Sequence, residues 1–306
     1  MATEATTRAR AIPLPDVATT GGAGRTGGQT ALMVMRYILL GLMTVIFLGP
    51  FILAFLGSFK TTAEVLAWPP RFLPTNWHLE NYQTVWNVLP DQHGNSYFPR
   101  WVLNSIILSV SVVVAQLFFC SLAAYSFARL NFPGRTAIFA AMLATLMVPA
   151  MVVLIPKYQI VNALGWVNTY WAIIVPALVG ASGIFLLAQF FQSIPKDLEE
   201  AAQIDGAGIF TTYWRVILPL ARPALATLAI LTFQGVWNDY LNPLVLLTTP
   251  EMFPLTVGLG FLKGEFSTSY NLVLAGSMFN TVPMIVLFAI FSRFYVQGAT
   301  YSGVKG

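Results

Sequence analysis

Charge is what this sequence has least of. Asp, Glu, Lys and Arg make up 9% of its 306 residues, where a soluble domain carries roughly 25%. Hydrophobic residues reach 57% and mean hydropathy is +0.70, which places the chain among membrane proteins. Cys120 is the one cysteine and lies in an apolar run, so no disulfide framework or thiol metal cluster can be built. His78 and His93 are the two histidines, too few for a conventional zinc cluster. Five lysines occur and none follows a glycine. A G-x-x-x-x-G-K-[ST] phosphate loop is therefore missing, and the chain cannot hold ATP in that way. There is also no G-x-S-x-G elbow and no H-E-x-x-H pair. The net charge of +4 is spread over short loops, without the basic run that marks a nucleic-acid partner.

What the chain does have is six long apolar runs, at about 31–56, 101–127, 137–157, 169–191, 221–247 and 271–292. Each is long enough to cross a bilayer as a helix, which needs roughly 20 residues. The fold class expected is an all-α membrane protein with six transmembrane helices. The first run is too long for a signal-peptide core and no A-x-A site follows it, so it reads as an uncleaved span. Residues 1–30, rich in Ala, Thr, Gly and Arg, read as a disordered cytoplasmic tail, with the six-span domain over 31–306. Residues 57–100 carry Pro69, Pro70, Pro74, Pro90 and Pro99 among Trp68, Trp77, Tyr82 and Trp86. They predict an ordered outer loop with a short helix near Leu79–Trp86; its tryptophans equally fit an interfacial belt. Pro149, Pro156, Pro176, Pro243 and Pro283 fall inside the apolar runs and predict kinks. The two halves show no sequence repeat by eye, so the inverted repeats of many secondary carriers are unsupported.

Orientation follows from the basic residues. With the N-terminus inside, eleven of the sixteen Lys and Arg residues fall on the inner side, and Lys60, Arg71, Arg100, Lys157 and Lys263 on the outer. The positive-inside rule then puts both termini and the loop 192–220 in the cytoplasm of a multi-pass plasma-membrane protein.

That loop is a polar, strongly helical island between two apolar runs. Asp197 with Glu200 three residues later reads as a capping box. Acidic residues suit the first turn of a helix, and Gly206 supplies the left-handed conformation that ends one. A second helix is expected from about Ile209 to Ile217, stopped before Pro219. Spacing alone describes a capped helical elbow. The residues Glu200-Ala201-Ala202, with Asp205 and Gly206 following, then Val216 and Leu218-Pro219, resemble the EAA signature of ABC importer permeases. Val216 stands where Ile is usual. Two further segments are similar to this family: Ala124-Tyr125-Ser126-Phe127-Ala128-Arg129 with Phe132-Pro133-Gly134, and the Gly-rich ending Gly303-Val304-Lys305-Gly306. The ending resembles that of the smaller permease of the maltose-type carbohydrate branch. The resemblance covers roughly residues 31–306.

Ionisable and amide groups at membrane depth are costly and mark candidate sites. Gln234 and Asn238 lie four apart, on one helical face. Asp239 follows at once, between Trp237 and Tyr240 on one side of the chain order and the next. Two readings stand side by side. The amides either bond to neighbouring helices, at about 0.6 kcal/mol each, or they line a translocation path where Trp237 stacks on a sugar. Trp237-Asn238-Asp239-Tyr240 resembles a W-N-[DE]-[FY] segment of the sugar-importing branch. Asn104, Gln116 and Asn280 read mainly as packing groups. Pro283, three residues after Asn280, is expected to break the last span and expose carbonyls, which makes Asn280 a further path candidate.

The resemblance implies an ABC type I importer permease fold and a transport subunit that is not an enzyme. It implies a heterodimer with a homologous permease, two ATPase subunits that carry ATP and Mg, and an extracytoplasmic sugar-binding protein. No cofactor or metal is expected on this chain. It assigns ATPase coupling to Glu200, Ala201, Ala202, Asp205, Gly206, Leu218 and Pro219, in a cytoplasmic coupling helix. The substrate implied is a sugar or oligosaccharide. The alternatives are a polyol phosphate such as glycerol-3-phosphate, an ion-coupled secondary carrier that titrates Asp239, and, least supported, a membrane-embedded enzyme. Glu199 and Glu200 are adjacent on a helix, about 100° apart, and so are poorly placed as a paired acid and base.

Overall fold

The computed structural model describes residues 27–88, 94, 96–265 and 269–301. Residues 1–26 of the expected tail and the ending Gly303–Gly306 lie outside the described residues. All regular elements among the described residues are helical. The chain divides into two compact units near residue 52.

The first unit holds most of α1 (Gly27–Gly57). Its residues 31–52 are almost wholly exposed apolar side chains, as expected of a helix whose solvent is lipid.

The second unit contains everything that follows. The segment expected to be an outer loop has two short helices, α2 (Thr62–Val65) and α3 (Glu80–Trp86). Thr61 and Glu64 form a reciprocal capping box at α2. Glu64 also accepts from the Thr75 N–H at 3.1 Å, and the hydrogen bonds from Thr75 hold its carboxyl below the usual range. Asn81, on α3, donates to the Ser58 and Lys60 carbonyls. This polar stitching ties together residues 58–81 of a Pro-punctuated stretch.

The axis of the unit is α4 (Tyr97–Arg129). It packs along α8 (Ala181–Ser193) and α12 (Arg222–Trp237). Small residues on its inward face, Ser105, Ser109, Cys120, Ala124 and Ala128, are buried, as close helix packing in a membrane requires. The rest of the unit runs through α5 (Arg135–Ala144), α6 (Ala150–Ala163), α7 (Trp171–Ile174), α9 (Asp197–Ile204), α10 (Ile209–Thr212), a π turn (Tyr213–Ile217), α11 (Leu218–Leu220), α13 (Leu241–Leu246), α14 (Leu255–Glu265) and α15 (Tyr270–Tyr301). Four spans are long and apolar enough to cross a membrane, at Ala31–Gly57, Tyr97–Arg129, Trp171–Ser193 and Tyr270–Phe291.

The other two expected spans are not straight. The run at 137–157 becomes α5 and α6, bent by 104° at Val148–Pro149. Proline there supplies no N–H and biases Val148 to the extended conformation it takes, φ −80°, ψ 120°. The run at 221–247 is cut at Asn238–Tyr240, between α12 and α13. In the opposite sense, Pro283 lies inside a continuous α15, so the expected break of the last span does not occur. A membrane helix absorbs one missing hydrogen bond where neighbours compensate. That helix also runs past 292, the expected end of the last span, to Tyr301.

Two apolar cores divide the unit along α4. One gathers Phe98, Trp101 and Leu108 with Val161, Ile173, Trp237, Leu255 and Leu262. The other gathers Cys120, Ala124 and Tyr125 with Leu187, Phe191, Tyr213 and Ile217. α14, which the hydropathy pattern leaves in a connecting loop, belongs to the first. It seats Gly258 flat on Trp101, where a Cβ would lie 2.1 Å from the indole. Gly258→Ala should therefore overpack this core by about 1–3 kcal/mol. The expected outcome is a melting point several degrees below wild type in detergent, with Gly260→Ala, whose Cβ would meet Tyr240 at 3.1 Å, milder. Unchanged melting of Gly258→Ala would contradict the packing.

Candidate functional site

Two places gather the sequence-predicted residues. The first is the elbow of α9 to α11. Its first helix begins at Asp197 behind Lys196, with no side-chain cap. The expected capping box is thus absent, because Asp197 is already inside the helix rather than ahead of it. Asp197, Glu199 and Glu200 crowd the first turn, where the helix dipole favours them. The helix ends as expected. Gly206 takes φ +82°; its N–H reaches the Gln203 carbonyl at 2.9 Å and the Ala207 N–H the Ala202 carbonyl at 2.9 Å. This is a Schellman closure, and it satisfies two carbonyls at the end of the helix.

The second arm does not stop before Pro219. A π turn over Tyr213–Ile217 shifts the bonding by one residue, so that the Leu218 N–H meets the Tyr213 carbonyl. Pro219, which has no N–H to place, fits at the start of α11. The arm is anchored inward by Tyr213 and Ile217, both buried, and by a 2.7 Å hydrogen bond between the Tyr213 and Ser121 hydroxyls.

Outward, the elbow shows Glu200, Ala201, Asp205 and Gly206 exposed, with Ala202, Leu218 and Pro219 half-buried. Beside them stand apolar side chains the sequence reading passed over. Ile204 is 87% exposed and Phe210 74%, and Ile209 and Leu198 are exposed as well. Asp197, Glu200 and Asp205 are exposed on the same elbow, as are Lys196 and Arg215.

The inner side of the elbow is ionic. Glu199 points in, one position from the exposed Glu200. Its Oε1 lies 2.7 Å from Arg129 Nε, with the two side chains 12% and 4% exposed. The N–H does not line up with that oxygen, so the contact is a charge pair. Arg129 Nη2 donates to the Phe191 carbonyl at 2.6 Å and to that of Ile194. Removing one partner of such a buried pair costs about 3–5 kcal/mol.

The second place is the break between α12 and α13. Gln234 and Asn238 are exposed on one face, and the Asn238 amide donates back to the Gln234 carbonyl at 3.0 Å. Asn280 Nδ2 approaches Asn238 Oδ1 at 3.4 Å. Trp237 does not face open space: it is 2% exposed, stacks on Phe233 and donates to the Asn280 carbonyl at 3.1 Å. The indole's apolar area wins burial in the core, so it is unavailable for stacking on a sugar. Tyr240 is exposed. Asp239 is not alone: its Oδ2 accepts from Asn242 Nδ2 at 2.9 Å, its Oδ1 from the Asn242 N–H at 3.2 Å. Asn242 Oδ1 in turn accepts from Lys157 Nζ at 2.8 Å. A cavity of about 410 Å³ opens beside Lys157, Asp239 and Asn242. A smaller cavity of about 270 Å³ lies along α12, with Gln116, Ser182, Thr232 and Gly235 on its wall. There Gln116 joins the Ala177 carbonyl to the Thr232 hydroxyl, each at 2.9 Å.

The comparisons with known proteins agree with this architecture. Residues 116–297 match the family described as binding-protein-dependent transport system inner membrane component. The arabinooligosaccharides transport system permease protein AraQ of Halalkalibacterium halodurans is 35% identical over 84% of this chain and 91% of its own. The sn-glycerol-3-phosphate transport system permease protein UgpE of Salmonella typhi is 31% identical over 88% of this chain and 96% of its own. Among solved structures, a chain of a bacterial ABC transporter that imports the acidic polysaccharide alginate superposes with a TM-score of 0.76. It is 26% identical over 89% of this chain and 99% of its own. With the elbow, the broken spans and the long α4 all in place, the chain belongs to the binding-protein-dependent transport system inner membrane components, the multi-pass permease subunits of ABC importers.

Proposed function

We propose that this permease imports a neutral sugar or oligosaccharide, paired with a homologous permease and driven by two ATPase subunits that dock on the elbow. The observation that carries the docking is the exposure of apolar Ile204, Ile209 and Phe210 on α9 and α10, at the end of the unit where α4 and α8 finish. Arg129, Arg135, Lys196, Arg215 and Arg222 fall at or next to the elbow in the chain, and this, with the sequence-wide excess of basic residues assigned inside, supports a cytoplasmic elbow and cytoplasmic termini. An extracytoplasmic binding protein delivers the sugar to the other side. AraQ, named for arabinooligosaccharides, supports the carbohydrate class.

The balance of charge supports neutrality. Lys157 is the basic side chain beside the α12–α13 break, and Asp239 compensates it through Asn242. The cluster offers donors and acceptors to hydroxyls and no spare cation for a phosphate. Gln234, Asn238, Tyr240 and Asn280 extend the same polar edge. UgpE favours the second reading, a polyol phosphate such as glycerol-3-phosphate.

Affinity purification of the tagged chain from its host in mild detergent tests the assembly. A P-loop ATPase and a second six-span protein should co-purify in stoichiometric amounts, and the sugar is then identified on the accompanying binding protein. A chain that purifies alone and transports in ATP-depleted vesicles would contradict the reading and favour an ion-coupled carrier.

Two substitutions sharpen it. The position of Gly206 has open space around a Cβ but a left-handed φ, so the cost of substitution is conformational. Gly206→Asn, which tolerates that region, should keep ATPase binding, and Gly206→Val should weaken it by about tenfold, the equivalent of roughly 1.4 kcal/mol. Equal binding by both would remove Gly206 from the coupling role. Asp239→Asn frees the Lys157 cation. It should lower uptake of the sugar found on the binding protein by about tenfold or more, the loss of one charge-assisted hydrogen bond, with ATPase docking unchanged.

A further inference from the structure

Adjacent carboxylates on α9 divide between outside and inside. Glu200 is exposed for a partner, whereas Glu199 is buried on Arg129. Arg129 is the last residue of α4, and its guanidinium holds three elements at once: its own helix, the final carbonyls of α8 at Phe191 and Ile194, and the first turn of α9. The chemistry suits both neighbours. A cation satisfies the carbonyls left over at the end of α8. The same cation neutralises Glu199, which would otherwise be a buried anion. Below this joint α4 and α8 pack on each other through Ala124, Leu187, Ala188 and Phe191, all buried.

We propose that Arg129 and Glu199 form the internal joint that passes displacement of the elbow into α4 and α8 together. Glu199 is thereby a positioning residue, and the exposed face around Glu200 is the docking surface. The inference rests on the reading of the elbow as the ATPase contact. In the joint, any shift of α9 must either carry Arg129 with it or break a desolvated charge pair. Because the same guanidinium grips the α8 carbonyls, the cheaper course is for both helices to follow. Without the pair, α9 can move on its own.

Hydrogen–deuterium exchange of the purified permease–ATPase complex tests this, with ATP and vanadate as the only probes. In wild type, trapping should alter exchange in peptides from α9 and α10 and in the C-terminal halves of α4 and α8. In Glu199→Gln the ATPase should still co-purify and the α9–α10 peptides should still respond. The α4 and α8 response should fall by at least about fivefold, the low end of ordinary allosteric coupling. Glu200→Gln, on the exposed side, should instead weaken ATPase binding. An undiminished α4 and α8 response in Glu199→Gln would overturn the proposal. Should that variant lose its elbow, seen as fast exchange of α9 without ATP, Arg129→Lys decides. Lysine keeps the charge beside Glu199 but lacks the fork that reaches both α8 carbonyls, so the α8 response should fall while α9 stays protected. A full α8 response there would equally overturn it. A wild-type complex without ATPase would sink the docking reading itself and not the joint.

Discussion

A helix can be broken inside a membrane only if something other than water takes up the freed backbone groups. This constraint organises the second unit of the chain. Its helices break at Val148–Pro149, before Ala181, at Asn238–Tyr240 and around Pro250–Pro254, and at three of these places side chains supply partners. α4 provides many of them. Asn104 donates to the Glu251 and Phe253 carbonyls, Ser105 accepts from the Leu255 N–H and Trp101 donates to the Pro250 carbonyl. Gln116 serves the Ala177 carbonyl ahead of α8, and Asp239 with Asn242 closes the start of α13. The polar residues of α4 thus partner freed backbone groups ahead of α8 and around Pro250–Pro254, while the break after α12 is served by Asp239.

The same helix ends in the one buried ion pair among the described residues. α4 thus carries backbone partners along its length and grips the elbow at its tip. The polar break lies at one core, the elbow at the other. Trp237 fits this picture better as a core residue than as a sugar platform. Its indole holds α12 to α15 through the Asn280 carbonyl, which leaves the exposed amides and the Lys157–Asn242–Asp239 cluster as the polar groups at the break.

Much of this was legible in the sequence, for physical reasons that also explain what was not. Hydropathy located the six long apolar runs, because the lipid requirement acts on length and composition alone. Gly206 was legible because a positive φ has few residues that tolerate it. The kink expected at Pro149 is there, but which prolines bend the chain was not legible, since Pro149, Pro156 and Pro283 look alike in sequence and Pro283 sits in an unbroken helix. The connection of Asp239 to Lys157 was not legible, because Lys157 lies on another span and is reached through Asn242. Glu199 was passed over beside Glu200, because a 100° step along a helix separates inside from outside and the sequence does not say which is which. The exposure of Ile204 and Phe210 was not legible, because on a short helix the identity of an apolar side chain does not say whether it turns inward or outward. α14 escaped because eleven residues fall short of a span, and its glycines gave the one hint of close packing.

Site-directed cross-linking tests most directly that the elbow is the face through which ATP acts. A cysteine replaces Phe210 in one variant and, as control, Leu164 on the loop after α6 in another; native Cys120 is buried. Treated in the native membrane with a short bifunctional reagent, Phe210→Cys should yield a product containing a P-loop ATPase, with a yield that changes when ATP is trapped. Leu164→Cys should yield none. An ATPase product from Leu164→Cys, or none from Phe210→Cys in membranes that still transport, would contradict the account.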